Sequence, residues 1–457
     1  MESSSGTLDP QRAHDISHLL LAVMRLAVQV ATYNTNLQGD DGVPQSLVDW
    51  LSPTLQVSKF LSNPQHPADI IAVGFQELLP LHLGLSGLSR GVIDNRNAHI
   101  LQQIESFTNE RYGLIDKVVH GGVALLLYAR DGSVARTACD VQTTWTGTGP
   151  GFMGNKGAVG VRFRVPGKNG GAGETFTFVC AHLTAHAHKL AERIADWHHI
   201  VGTLLFPLPD GSLSTIYHTS HLFLLGDLNF RVVLPPDHPL QGSPSAIGQS
   251  LTQESTRNTF KEYDQLLRER QRPENRLCVG LREGEFWKFK CSFKYEIGQV
   301  DRYSEKRSPS WTDRVLYTTY SDSPDSPEES AITNILYTSV IGYTTSDHVC
   351  ALQSTWHFAY CVSRNRLSLS SFFPNLSQHR WITFPYCASP ADYSPLPDPR
   401  ANLKRYTGRA LDRLIGRIWW LLTLLGAGST VAGIFNFILG MSAWGWWHVK
   451  STNAAAQ

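Results

Sequence analysis

The sequence predicts an α/β (α+β) domain built on buried strands, followed by a C-terminal transmembrane helix. Three observations carry this prediction. Short runs of β-branched and aromatic residues, among them LAVQVA, DIIAVG, TFTFVC and HLFLLG, read as buried strands. Most of them end at a short polar motif, so the strand ends are expected to converge on one pocket. Finally, Ile418 to Trp447 is a stretch of thirty residues without Asp, Glu, Lys, Arg or His, and roughly 20 apolar residues suffice to cross a bilayer.

The polar motifs come in a fixed order. They are ATYNTN (Asn34, Asn36), GFQEL (Glu77), FVCAHL with TAHAH (His182, His186), LLGDLNFR (Asp227, Asn229, Arg231), PSWTDRVL (Asp313, Arg314) and TSDH (Asp347, His348). Any one of them is readable as a strand end meeting a polar turn. Together they supply what hydrolysis of a phosphate ester requires. Oxygen ligands from Glu77, Asp227, Asp347 and the two Asn amides suit a hard cation such as Mg²⁺. Histidines donate protons or stabilise charge on the phosphoryl group, and Arg and Lys bind the remaining phosphates.

Composition sets the outer bounds. The chain has 457 residues, of which 42% are hydrophobic and 17% charged, enough for one large core and one extra module. A net charge of +1 gives no electrostatic footprint for nucleic acid. The seven cysteines are odd in number, widely spaced and without a CxxC pair, which argues against zinc and for a reducing compartment. Residues 1–25 read as a polar leader into the first strand, not as a signal peptide.

Further basic residues lie between the motifs. TGTGPGFMGNKGAVGVRF offers Asn155 and Lys156 beside four glycines, where a turn and a phosphate site are equally good readings. CSFKYEIG places Lys294 near a strand end, and EKRSPSW places Lys306 and Arg307 just before Asp313. GKNGGAG (Gly167 to Gly173) reads as a hairpin loop, because it lacks the ending of a P-loop. Residues 361–417, with a stretch rich in Ser, Pro and aromatics, read as a linker.

The apolar segment 418–447 carries tryptophans at both ends (Trp419, Trp420; Trp444, Trp446, Trp447) and basic residues upstream. Aromatic belts and the positive-inside bias then predict a tail anchor with the large domain in the cytosol; the endoplasmic reticulum is the expected membrane, although neither signal selects an organelle. Residues 448–457 would form a short tail beyond it.

At this point the ordered set Asn34, GFQEL, MGNKG, AHLTAH, GDLNFR, FKYE, RSPSWTDRVL and SDH resembles the inositol polyphosphate 5-phosphatases of the endonuclease/exonuclease/phosphatase superfamily. GDLN and SDH carry only the superfamily; MGNKG with PSWTDRVL carries the 5-phosphatases. The resemblance spans about Leu26 to Phe358, and the catalytic domain it implies is residues 26–360. It implies a four-layered sandwich of two mixed β-sheets flanked by helices, and a Mg²⁺ site at one end. It further implies that Glu77 and Asn34 hold or position the metal with Asp347 and Asn36 close by, and that Asp227 acts on the attacking water with Asn229. His348, oriented by Asp313, and His182 would stabilise the phosphoryl oxygens. Asn155, Lys156 and Arg231 match the phosphate pocket, and Lys294 matches a residue that recognises the 4-phosphate.

Two departures weaken the 4-phosphate expectation: Phe293 stands before Lys294 where the family often has Tyr, and Glu305 stands where a basic residue is usual. The expected substrate is a membrane phosphoinositide, phosphatidylinositol 4,5-bisphosphate first, with Phe152 and Met153 facing its acyl chains. No nucleic acid is expected as a partner, and protein partners are left open. Another metal-dependent phosphoesterase of the superfamily, sphingomyelinase-like or a nuclease, and a non-catalytic phosphoinositide tether are the alternatives.

Overall fold

Both faces of the central strands are apolar, so these strands must be covered on both sides, and that requirement sets the architecture. A computed structural model of the chain describes residues 26–39, 67–167, 173–320, 322, 330, 332–357, 390, 392–425 and 441–442. Two six-stranded sheets pack face to face. The first contains β1 (Leu26–Asn34), β2 (Ile70–Gln76), β3 (Tyr112–His120), β4 (Val123–Arg130), β13 (Ile332–Val340) and β14 (Cys350–His357), in the order β13-β14-β1-β2-β4-β3. The second contains β5 (Cys139–Gly147), β6 (Gly157–Val165), β7 (Glu174–His182), β10 (His221–Asp227), β11 (Arg282–Glu283) and β12 (Asp313–Thr319), in the order β11-β12-β10-β7-β6-β5. A small ribbon of β8 (Phe206–Pro207) and β9 (Leu213–Ser214) stands apart.

Alternate residues of each strand face opposite layers. Val28, Val30, Ile70, Ala72, Leu125 and Leu127 meet Val159, Val161, Phe178, Phe223 and Leu225 between the sheets. Phe178 stacks on Phe223 with centroids 4.8 Å apart, a pairing that adds about 0.5–1.5 kcal/mol to the burial itself. On the outer faces, Ile71, Val73 and Phe75 pack against Ile93, Ile100 and Ile104 of a helix at Ser89–Thr108. Val179, Leu222 and Leu224 pack against Trp197, Ile200 and Val201 of a helix at Leu190–Thr203. The expected four-layered sandwich is therefore present. In chain order the helices are α1 (Leu81–Ser86), α2 (Ser89–Thr108), α3 (Leu190–Thr203), α4 (Pro244–Ser250), α5 (Glu254–Phe260), α6 (Gln265–Arg270) and α7 (Ala401–Leu424).

Each sheet has one parallel pair at its centre, β1 with β2 and β10 with β7. Antiparallel strands β14 and β12 flank those pairs, so they begin where β1 and β10 end. The polar motifs are thereby gathered at one end of the sandwich. β6 and β7 pair antiparallel, as expected of strands flanking a hairpin.

The C-terminal transmembrane helix is not supported. Among the described residues no helix is long and apolar enough to cross a membrane. Instead α7 runs unbroken from Ala401 to Leu424, through the boundary drawn at Ile418. Its Gly408, Asp412 and Gly416, spaced four apart, form a buried stripe against the domain. The reason is visible in that stripe: a helix whose small residues and one acid are committed to a protein surface, with Arg409, Arg413 and Arg417 around them, is a docked helix. The membrane localisation inferred from the anchor, and the endoplasmic reticulum with it, falls on the same finding. The remainder of the expected span (426–440 and 443–447), the tail, the leader, residues 358–360 of the expected domain, and residues 361–389 and 391 of the expected linker lie outside the described residues; residues 401–417 of that linker are helical.

Candidate active site

Strand register builds the centre of the site. Asp227, the last residue of β10, lies opposite His182 on one side and Asp313 on the other. Asn34 ends β1 in the facing sheet, and its Nδ2 donates to Asp227 Oδ2 at 3.0 Å across the gap between sheets. Immediately beyond the strands the chain turns into left-handed backbone at Asn36 (φ 52), Glu77 (φ 49) and Asn229 (φ 58). That region is uncommon for residues other than glycine and concentrates at functional sites. These turns bring Asn36, Glu77 and Asn229 onto the wall of one cavity.

Asp227 is buried and heavily partnered. It accepts from Asn34 and from the Asn229 N–H (3.0 Å), and His182 Nε2 lies 3.4 Å away. Burial works against its charge, but His348, His182 and Arg231 outweigh it and hold the carboxyl well below the usual carboxylate range. Beside it, His348 Nδ1 donates to Asp313 Oδ2 at 2.9 Å, and the Thr312 hydroxyl donates to the same oxygen at 2.8 Å. Burial alone would strip the proton from His348; the Asp313 and Asp227 carboxylates reverse that and raise its pKa to about 9. The ring is an imidazolium fixed by a carboxylate.

The cations stand around this centre. Lys156 Nζ contacts His182 Nε2 and lies 3.7 Å from Glu77 Oε1. Burial and Lys156 both push the His182 pKa down, so that ring is neutral. Arg231 donates to Asn229 Oδ1 and lies 4.0 Å over the Phe293 ring, whose centroid is 4.7 Å from that of His348. Lys294 Nζ is 2.6 Å from Asp347 Oδ2. A cavity of about 480 Å³ joins these groups. Asn36, Glu77, Lys156, Asp227, Asn229, Arg231, Lys294, Lys306, Arg307, Asp347 and His348 line it, while Asn34, His182 and Asp313 stand directly behind.

The residues fit a hard divalent cation, because the donors offered are carboxylate and amide oxygens. Asp227, Asp313 and His348 also place ligand atoms within 4.8 Å of one another. We read that group as a proton-holding dyad beside a carboxylate, since the imidazolium nitrogens carry hydrogens and have no lone pair for a metal. Glu77, a third exposed, is the carboxylate open to the cavity.

Three expected residues sit apart from it. Asn155 is on the loop that carries Lys156, but does not line the cavity. Phe152, expected to face lipid, stacks on His199 at 5.4 Å with its backbone against Gly408 of α7, and Met153 is half-buried beside it. Sequence reasoning missed the supports: Ser292, whose Oγ accepts the Asp313 N–H at 3.0 Å, and Ser346, whose Oγ donates to the Asn34 carbonyl at 2.7 Å. Ser346 lies directly before Asp347 in TSDH and Ser292 two residues before Lys294 in CSFKYEIG, so both stood inside motifs that carried a signal.

Comparison with known proteins agrees with this geometry. Residues 31–351 match the model of the endonuclease/exonuclease/phosphatase family 2. The chain belongs to that family. It is 29% identical to human synaptojanin-2 over 303 residues, covering 64% of this chain and 19% of that protein. With rat phosphatidylinositol polyphosphate 5-phosphatase type IV it shares 28% over 337 residues, 71% of this chain and 44% of the other. The chain thus spans less than half the length of these relatives. Among solved structures, the inositol polyphosphate 5-phosphatase domain of SPsynaptojanin, in complex with inositol (1,4)-bisphosphate and calcium, superposes with a TM-score of 0.56 at 22% identity over 76% of this chain and 90% of that one. That likeness speaks for the shared fold.

Proposed function

We propose that this chain is a metal-dependent phosphomonoesterase that removes the 5-phosphate of phosphoinositides, phosphatidylinositol 4,5-bisphosphate first. The observation that carries the reading is the pairing, at one cavity, of an ionised Asp227 with an imidazolium His348 inside a ring of Lys and Arg. The named relatives point the same way.

Glu77 and Asn34, with Asn36 and Asp347, would hold Mg²⁺, which supplies charge neutralisation at the phosphoryl oxygens. Lys156 and Arg231 bind the phosphate to be removed. Asp227 and Asn229 align a water for in-line attack on phosphorus. A carboxyl held so far below its usual range is a weak base, so Asp227 serves as an acceptor that orients the water. The new P–O bond forms as the bond to the inositol oxygen breaks, and one proton of the attacking water passes, net, to the departing inositol oxygen, so that the products are inorganic phosphate and the ring hydroxyl. His348, kept cationic by Asp313, and His182 stabilise the charge that grows on the transferring group. Lys294, Lys306 and Arg307 also line the cavity, and the remaining phosphates would sit against them. Two exposed apolar residues on the loop after Lys294, Ile297 and Val300, favour a lipid over a soluble substrate.

Phosphate release as a function of Mg²⁺ concentration tests the metal assignment. Glu77→Gln is expected to raise the half-maximal Mg²⁺ concentration at least tenfold. An unchanged Mg²⁺ dependence would remove Glu77 from the metal site.

A further inference from the structure

The loop that carries Asn155 and Lys156 is held from outside the family's matched region. α7 (Ala401–Leu424) lies beyond residue 351, yet it closes over the turn at Gly149–Gly154. The carboxylate of Asp412, the only acidic residue of α7, accepts the Gly154 N–H with both oxygens, at 2.9 and 3.2 Å. Asp412 is buried. Four residues earlier, Gly408 packs so closely that a Cβ there would lie 1.9 Å from the Phe152 carbonyl oxygen. Trp145, at the end of β5 that feeds the loop, stacks on His120 at 4.2 Å and is covered by the Arg409 guanidinium at 4.3 Å.

On its other side the loop meets the β3–β4 turn. A Cβ on Gly121 would lie 2.0 Å from the Gly154 carbonyl oxygen, and a Cβ on Gly154 would lie 2.6 Å from His120 Nε2. The neighbouring Gly122 carbonyl accepts the Leu78 N–H at 3.0 Å, adjacent to Glu77. Gly154 is therefore clamped between α7 and the turn that supports Glu77, and the next two residues reach toward the site.

We propose that Asp412 is a positioning residue for the reaction: by holding the Gly154 N–H from α7 it sets the loop that aims Lys156 between His182 and Glu77. The inference rests on the proposed phosphatase activity and deepens it. Asp412 touches neither substrate nor metal, and it acts by fixing one peptide group. A misplacement on the order of 1 Å at a binding group can cost about a hundredfold in rate.

The test compares the full chain with Asp412→Ala, Asp412→Asn and Asp412→Glu, reading kcat and KM for phosphate release from a soluble inositol trisphosphate, the melting temperature, and amide exchange at Gly154. Asp412→Ala is expected to lower kcat about 10- to 100-fold per folded molecule and to speed exchange at Gly154 while β6 and β7 stay protected. Asp412→Asn, whose amide oxygen still accepts the bond, recovers most of the loss. Should the Ala variant fail to fold, the Glu variant, whose carboxylate is displaced by one methylene, is expected to fall below Asn in kcat at matched melting temperature. A kcat per folded molecule equal to wild type in Ala, or equal in Asn and Glu, would overturn the proposal. A wild type that releases no phosphate from this substrate or from phosphatidylinositol 4,5-bisphosphate vesicles would instead overturn the functional reading, and exchange at Gly154 would still decide whether Asp412 holds the loop.

Discussion

Asp313 and Arg314 are neighbours on β12, and they end in two buried charge clusters of opposite kind. Arg314 is closed on every side. Its Nε and Nη2 donate to Glu283 at 2.6 and 2.7 Å, its Nη1 donates to Asp264 at 3.0 Å, and its guanidinium lies 3.9 Å from the Phe286 ring centroid. Burial opposes its charge, but the two carboxylates more than compensate and push its pKa up. The cluster around Asp313 is left open. Arg231 Nε and Asp313 Oδ1 are buried atoms without a hydrogen-bond partner among the described residues, and the cations face a cavity. A satisfied charge cluster stabilises one conformation; an unsatisfied one keeps capacity for a ligand.

The difference between the clusters is testable by breaking each. Arg314→Leu leaves Asp264 buried without an ion pair and Glu283 with only Arg270 at 3.8 Å and the Tyr337 hydroxyl, and should destabilise the fold by about 3–5 kcal/mol in urea unfolding; a loss below about 1 kcal/mol would contradict the closed-cluster account. Asp227→Asn should do the reverse. It is expected to lower kcat about 10²- to 10³-fold, while the melting temperature falls by less than about 4 °C.

The pocket's outer support gives a smaller effect with a definite sign. Burial, opposed by the Gly154 N–H, Arg413 and Arg409, raises the Asp412 pKa to about 6. His120 on β3 and Arg90 on α2 also face it. The unfolded chain releases that proton near pH ~4, so between those values the native state binds more protons and stability falls as pH rises. Asp412→Asn removes this loss. Its melting temperature relative to wild type is therefore expected to increase from pH 4 to pH 8, and a constant difference would contradict the shift. The mildest change is at the rim: Ile297→Asp with Val300→Asp should reduce turnover of vesicle lipid several-fold more than turnover of soluble inositol trisphosphate, and equal losses would argue against a lipid-facing rim.

Much of the site was legible because polar residues closing apolar runs are conspicuous, and a shared strand end forces Asn34, Glu77, His182 and Asp227 together. Asp313 and Arg314 show where that reading stops. Both belong to PSWTDRVL, and adjacent strand residues face opposite sides, so the residue pattern alone does not say which of them meets His348; the family resemblance assigns that place to Asp313, and the structure shows the contact at 2.9 Å. α7 misled for a related reason. Its tryptophans and apolar residues match a membrane span, whereas the decisive signal, Gly408, Asp412 and Gly416 at helical spacing, acquires meaning only when Gly154, 258 residues away in sequence, lies against it. Phe152 was read as exposed because the helix that covers it was read as linker.

The most direct test is the regiochemistry of the product. Phosphatidylinositol 4,5-bisphosphate vesicles incubated with Mg²⁺ and the wild-type chain should yield phosphatidylinositol 4-phosphate and inorganic phosphate, and neither when a chelator is present or when Asp227→Asn replaces the wild type. Formation of the 5-phosphate isomer, release that survives the chelator, or full activity in Asp227→Asn would contradict the assignment of this cavity as a metal-dependent 5-phosphatase site.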